Sequence, residues 1–306
     1  MSDSCGEDIR MIRARYEQER ANGLAALKAG CLEEAHQQFT AALTTARSLA
    51  DSDLLDLATC SEASVAIALG DVQAPIPRLR EVLMRSANAS NCAIAAHSIA
   101  RAYELRKEYR KSLFYARCAR DRAAQADSPD RMAAAENQIG NALLAQSFFD
   151  EAATSYRRAL ASLALQREDW RLICEVNLGY CEVVLGRLKD GLRRLYSALR
   201  DARRAELPRL EMIALVDLCF AHLELERHVT AERHGRRGLE LAEKIGEVDW
   251  IKNALYLLGQ IAVLRGDVEE AHARFAELQQ RFYPGHAFVP ELLINVDVRQ
   301  LVNLRA

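Results

Sequence analysis

The chain is poor in residues that break helices, with 14 glycines and 6 prolines among 306 positions. Clusters of β-branched residues are also rare, while alanine, leucine, arginine and glutamate abound, a balance that favours helix nearly throughout. No apolar run approaches the roughly eighteen residues needed to cross a bilayer. The opening MSDSCGEDIR lacks the basic-then-apolar order of a secretory signal, so a cytosolic, cytoplasmic protein is expected. Eight cysteines are scattered without a CxxC pair or Cys/His ligand spacing, which argues against a disulfide framework or a zinc site and for reduced, buried thiols. The 41 basic and 43 acidic side chains nearly cancel, so no overall field draws the molecule to nucleic acid or an anionic membrane. There is no phosphate-cradling glycine loop, nucleophile elbow or dinucleotide fingerprint. Neither catalysis nor a cofactor is expected.

What the chain does have is repetition. Ala29 to His36 reads AGCLEEAH and Arg265 to His272 reads RGDVEEAH. Small residues three positions after a mostly large one recur at Ala35, Pro75, Ser112, Ala152, Gly191, Ala231 and Ala271, in steps of 40, 37, 40, 39, 40 and 40. Twelve positions before each stands Gly23, Ala63, Ala100, Gly140, Gly179, Cys219 or Gly259, every one small. Four positions after come Phe39, Leu79, Ala116, Tyr156, Leu195, Gly235 and Phe275, mostly large. Apolar residues at intervals of three and four mark helix faces, and small residues let two helices approach, so each unit reads as a helical hairpin. Gly30, Gly70, Gly186 and Gly266 suit helix C-termini. Glu33, Glu34, Asp150, Glu151, Glu269 and Glu270 suit the first turn that follows. Asp53, Asp130, Asp169 and Asp249 stand where N-caps are expected. Pro75 and Pro77 predict a late start for one helix, either as ordinary first-turn prolines or as a bend.

This pattern resembles the tetratricopeptide repeat family over Tyr16 to Phe282, on the Leu178-Gly179, Gly186 and Gly191 set, the Ile139-Gly140, Ala152 and Tyr156 set, and the Leu258-Gly259, Gly266, Ala271 and Phe275 set. The period near 40, not 34, and the missing helix-B proline are similar to the long-repeat branch that includes bacterial peptide-sensing regulators, kinesin light chain and polarity adaptors. The resemblance implies an all-α solenoid, a right-handed superhelix of about seven hairpins whose first helices line the concave side. On this reading residues 1–10 are disordered, 11–283 form the solenoid, and 284–306 form a C-terminal capping helix through Leu292, Leu293, Val296 and Leu301. The apolar Val302 and Leu304 leave a homodimer contact or a dock for another chain as alternatives.

The resemblance also implies groove-facing positions in each first helix: His97, Arg101 and Glu104; Asn137 and Asn141; Asn177 and Tyr180; Phe220; Asn253, Tyr256 and Gln260. Asparagine can donate to and accept from a peptide backbone, and aromatics add contact area at low entropy cost. The plainer reading is ordinary surface polarity, with Arg101 paired to Glu104. Arg193, Arg194, Arg200, Arg203 and Arg204 form a basic ridge that either binds phosphate or is a solvated face interrupted by Asp201, Glu206 and Glu211. His222, His228 and His234, six apart, are expected to scatter around a helix and to hold no metal. Cys174 and Cys181 read as core, and Trp170 and Trp250 as packing between repeats. The sequence thus points to a scaffold or adaptor holding a protein or peptide segment in its concave groove. The alternative is a peptide- or small-ligand-responsive sensor acting through a partner, with RNA binding behind both.

Overall fold

The computed structural model describes residues 2–163, 168–298 and 302–305, and the chain divides into two compact units, Met1–Gln146 with Ala161–Ala164, and Ser147–Leu160 with Leu165–Ala306. Among the described residues all regular structure is helical. The first unit holds α1 (Ser2–Lys28), α2 (Leu32–Ala46), α3 (Ser52–Ala68), α4 (Pro75–Arg85), α5 (Ala89–Leu105), α6 (Tyr109–Gln125) and α7 (Pro129–Leu144). The second holds most of α8 (Phe149–Ser162), then α9 (Glu168–Val184), α10 (Leu188–Arg204), α11 (Pro208–Glu224), α12 (His228–Ile245), α13 (Val248–Leu264), α14 (Val268–Phe282) and α15 (Val289–Asn295). Within each unit consecutive helices pack together, α1 through α7 in one and α9 through α15 in the other, and alternate helices also touch, α3 with α5 and α5 with α7 in the first, α9 with α11 and α11 with α13 in the second. This is a tetratricopeptide-like α-solenoid arrangement.

The repeating small residues are where the paired helices meet. A methyl group on Gly259 would stand 2.3 Å from the Phe275 ring, one on Gly23 2.9 Å from Phe39, and one on Gly179 3.0 Å from Leu195. Each is the small residue of one helix under the large residue of the next. In the α11–α12 hairpin the sizes are exchanged: Gly235 takes the second place, and its absent methyl would lie 2.9 Å from Cys219 Sγ. Size complementarity, and not one residue type, is what repeats.

The turns follow from backbone chemistry. Gly30, Gly70, Gly186 and Gly266 all adopt positive φ, 79°, 100°, 74° and 74°. The residues after Gly70 and Gly186 bond back five positions, Asp71 to Ala66 and Arg187 to Glu182, which satisfies the last carbonyls. Pro75 opens α4 as its first residue, so the late start arises from a proline whose missing N–H costs nothing there.

One expectation is corrected. Asp53, Asp130, Asp169 and Asp249 lie inside the first turns and are not N-caps; Asp51 caps α3 by accepting from Leu54 N at 3.1 Å. Their charge still suits the positive end of a helix. In the span 1–10, expected to be disordered, α1 runs from Ser2, and no proline interrupts the run into Tyr16. Of the span 284–306, expected to be a capping helix, residues 299–301 and 306 lie outside the described residues. Among the described residues of that span the helix is α15, which ends where Val296 turns extended.

Candidate functional site

In the first unit the expected groove residues lie on α5 and α7. His97 is partly buried, its Nδ1 without a hydrogen-bond partner, and burial followed by the nearby Arg101 charge lowers its pKa to about 4. Arg101 is exposed, and among the described residues no carboxylate lies within ion-pair distance of it. Glu104 instead accepts from Gln138 Nε2 at 2.7 Å, tying α5 to α7. Asn137 and Asn141 sit one turn apart on α7, both partly buried.

The second unit brings its expected residues into one constellation. Tyr180 on α9 and Phe220 on α11 meet with ring centroids 5.8 Å apart, and Asn253, Tyr256 and Gln260 are buried on α13, with Asn177 partly buried on α9. The chain itself reaches two of these amides. Asn253 Nδ2 donates to the Leu304 carbonyl at 2.7 Å, and Gln260 Nε2 donates to the Leu293 carbonyl at 3.3 Å. Both are the amide-to-backbone contacts for which the asparagines were singled out. Nearby, Asn303 Nδ2 donates to Ser147 Oγ at 3.1 Å, and Leu304 is 7% exposed.

Beside Leu304, the Arg305 guanidinium enters a pocket that sequence reasoning missed. It donates to Asp217 Oδ2 at 2.5 Å and lies 4.8 Å from the Tyr180 ring centroid and 4.5 Å from that of Trp250. Trp250, read as packing between repeats, is thus also one wall of a cation site. Asp217 is 1% exposed, and burial raises its carboxyl to about 6 against the lowering pull of Arg305. The Tyr180 hydroxyl is pushed up by burial and stays neutral. A signal for Asp217 did exist: it interrupts the apolar stretch MIALVDLCF and stands 40 residues after Asn177, at the same place in its repeat.

Elsewhere the geometry corrects one further expectation. His222 and His234 are not scattered around one helix; they sit on α11 and α12 and stack with centroids 5.6 Å apart. Tyr196 Oη lies 2.6 Å from His222 Nε2 and 3.3 Å from His234 Nε2. Among the described residues no group of three or more His, Cys, Asp or Glu is placed to hold a metal. The five arginines of the basic ridge are each paired: Arg193 with Asp190 at 3.0 Å, Arg194 with Glu175 at 2.5 Å and Glu182 at 3.0 Å, Arg200 and Arg204 with Asp201 at 3.6 and 3.3 Å, and Arg203 with Glu211 at 2.8 Å. A cleft of about 620 Å³ beside them is lined by Asp169, Glu175 and Asp201 as well as Arg171, Arg193, Arg194 and Arg204, so carboxylates offset most of its basic charge. Cys174 and Cys181 are core, as expected, their thiols pushed up to about 12 by burial.

No family model matches the chain, and no curated protein matches it in sequence. Solved structures do match its fold. The sensor NprR in complex with its cognate peptide NprX aligns with a TM-score of 0.69 at 13% identity, over 93% of this chain and 84% of that one. A Rap protein complexed with competence and sporulation factor gives 0.70 at 13% identity, over 89% and 76%. A tetratricopeptide repeat protein from Parabacteroides merdae gives 0.55 at 14%, over 92% and 98%. Among the described residues no helix is long and apolar enough to cross a membrane.

Proposed function

We propose that the chain is a non-enzymatic scaffold or adaptor that binds a protein or peptide segment along the faces of its first-in-hairpin helices, with α9, α11 and α13 as the principal receptor surface. The observation that carries this reading is the Asn253 bond to the Leu304 carbonyl, at 2.7 Å. A face built only for packing has no need of a side-chain amide aimed at the backbone of an irregular segment. The buried Gln260 makes the same kind of contact to Leu293. Asn177 and Tyr256 extend the polar and aromatic character of that surface. In the first unit, Asn137 and Asn141 on α7 and Arg101 on α5 are proposed as a further set of contacts.

A second reading, a peptide-responsive regulator acting through a partner, draws on the peptide-bound NprR neighbour and on the chain's own segment in the receptor surface. A site that is filled in one state and open in another can couple ligand binding to a second event. The test is affinity capture from native lysate by the wild type and by the Asn177→Ala/Asn253→Ala variant, read by mass spectrometry, with circular dichroism to confirm equal helicity. A partner held by the wild type and lost by the variant supports the receptor surface. Identical capture by both refutes it.

A further inference from the structure

We propose that Tyr180, Asp217 and Trp250 form an arginine-recognition pocket which residues 302–305 occupy in cis, so that a partner segment bearing a leucine–arginine pair binds by displacing them. The inference rests on the reading of α9, α11 and α13 as a receptor for protein segments, and it names what that receptor selects.

The pocket has the shape of its ligand. Two aromatic rings lie 4.8 and 4.5 Å from one guanidinium carbon, an arrangement that suits a flat cation and offers less to a compact ammonium. A carboxylate with 1% exposure stands at its end, and isolated buried carboxylates are costly unless a cation is supplied. Asn253 then fixes the backbone of the preceding residue, and the near-complete burial of Leu304 adds an apolar anchor. Side-chain charge, backbone and apolar anchor are read together, which is how a short sequence is distinguished.

The cis occupant satisfies this pocket incompletely. Arg305 reaches Asp217 through a single contact, Nη2 to Oδ2 at 2.5 Å. Asp217 Oδ1 and Arg305 Nε are both buried without a hydrogen-bond partner. A guanidinium approaching from a separate chain is free to engage both carboxylate oxygens, the stronger two-point geometry. The tethered segment has the advantage of proximity instead: a short link holds it at an effective concentration in the roughly millimolar range. Occlusion in cis is therefore strong but exchangeable, and opening the pocket raises the apparent affinity for a competitor by about tenfold or more.

The test uses the full chain and a synthetic peptide Val-Asn-Leu-Arg-Ala, amidated and carrying a fluorophore at its amino end, with binding read by anisotropy. Arg305→Ala protein is expected to bind at least tenfold tighter than wild type, and adding Asp217→Asn to Arg305→Ala is expected to abolish the gain. A peptide with lysine or alanine in place of arginine should bind at least tenfold more weakly to the Arg305→Ala protein. A chain ending at Val298 provides a second open form, guarding against a fold defect specific to one variant. Equal peptide affinity in closed and open proteins, or equal binding of the arginine and alanine peptides, overturns the proposal. Either result leaves the receptor reading to be judged by the lysate capture; only capture indifferent to Asn177 and Asn253 removes that as well.

Discussion

Substituting Gly259 with alanine tests whether size exchange between paired helices is what holds each hairpin. Alanine is the better helix former by about 1 kcal/mol, so an unconstrained helix interior would be stabilised. Here the new methyl would fall 2.3 Å from Phe275 Cε1, 2.6 Å from Cζ and 2.7 Å from Cδ1, and Phe275 is fully buried, so the ring has nowhere to swing. Overpacking of this kind costs about 1–3 kcal/mol. Offsetting the propensity gain leaves a net loss between about 0 and 2 kcal/mol, localised to α13 and α14. Phe275→Leu alone should cost on the order of 1 kcal/mol from lost contact. The Gly259→Ala/Phe275→Leu double variant recreates the combination that Ala63 and Leu79 already make between α3 and α4, both fully buried. It should therefore lose at least about 1 kcal/mol less than the sum of the single losses. The assay is urea unfolding followed by tryptophan emission, since Trp250 sits in α13 and is one of only two tryptophans. Because repeat arrays need not unfold in one step, the comparison is of the Trp250-reporting transition and not of a global value. Stabilisation by Gly259→Ala, or strictly additive losses in the double variant, would refute the reasoning.

Other outcomes follow from individual residues. Lys107 and Glu226 close hairpins with φ of 57° and 55°, so Lys107→Gly or Glu226→Gly should stabilise by up to about 1 kcal/mol, measured as a raised denaturation midpoint. Burial, then the charges of His222, Arg233 and Arg203, lowers His234 from 6.5 to about 4. The unfolded chain binds more protons in that interval, so stability is full above pH 6.5 and falls toward pH 4, by at most about 3 kcal/mol, a loss that His234→Asn should flatten. For Asp217, a bound guanidinium lowers a carboxyl that burial otherwise raises, and the facing Tyr180 and Cys181 of α9 stay neutral. Affinity of the Arg305→Ala protein for the arginine peptide should accordingly climb as pH rises above about 6 and be lowest at pH 5; a flat profile in anisotropy titrations would exclude Asp217 as the anchor.

The legible features were those with local causes. Gly23 under Phe39 and Gly259 under Phe275 could be paired from spacing alone, because a hairpin brings together residues at a fixed separation and helix geometry decides which faces meet. The four turn glycines were visible for the same reason, since positive φ after a helix favours that residue. The caps were not: Asp51 and Asp53 differ by two positions, and backbone entry angle selects between them. The histidines were misplaced because His222 and His234 belong to different helices, across a turn whose strained residue, Glu226, is not glycine and so left no mark.

The sequence by itself determined the helices, their pairing into hairpins and the amide- and aromatic-rich positions of α9, α11 and α13. These depend on side-chain size and on periodicities of a few residues, which any stretch of chain carries within itself. Tertiary structure alone decided that Arg305 lies against Asp217, 88 positions away, between Tyr180 and Trp250. No repeat or helical period links the tail to α11, and contact between them depends on where three packed helices leave a carboxylate unpaired and on a segment outside the repeat returning to meet it.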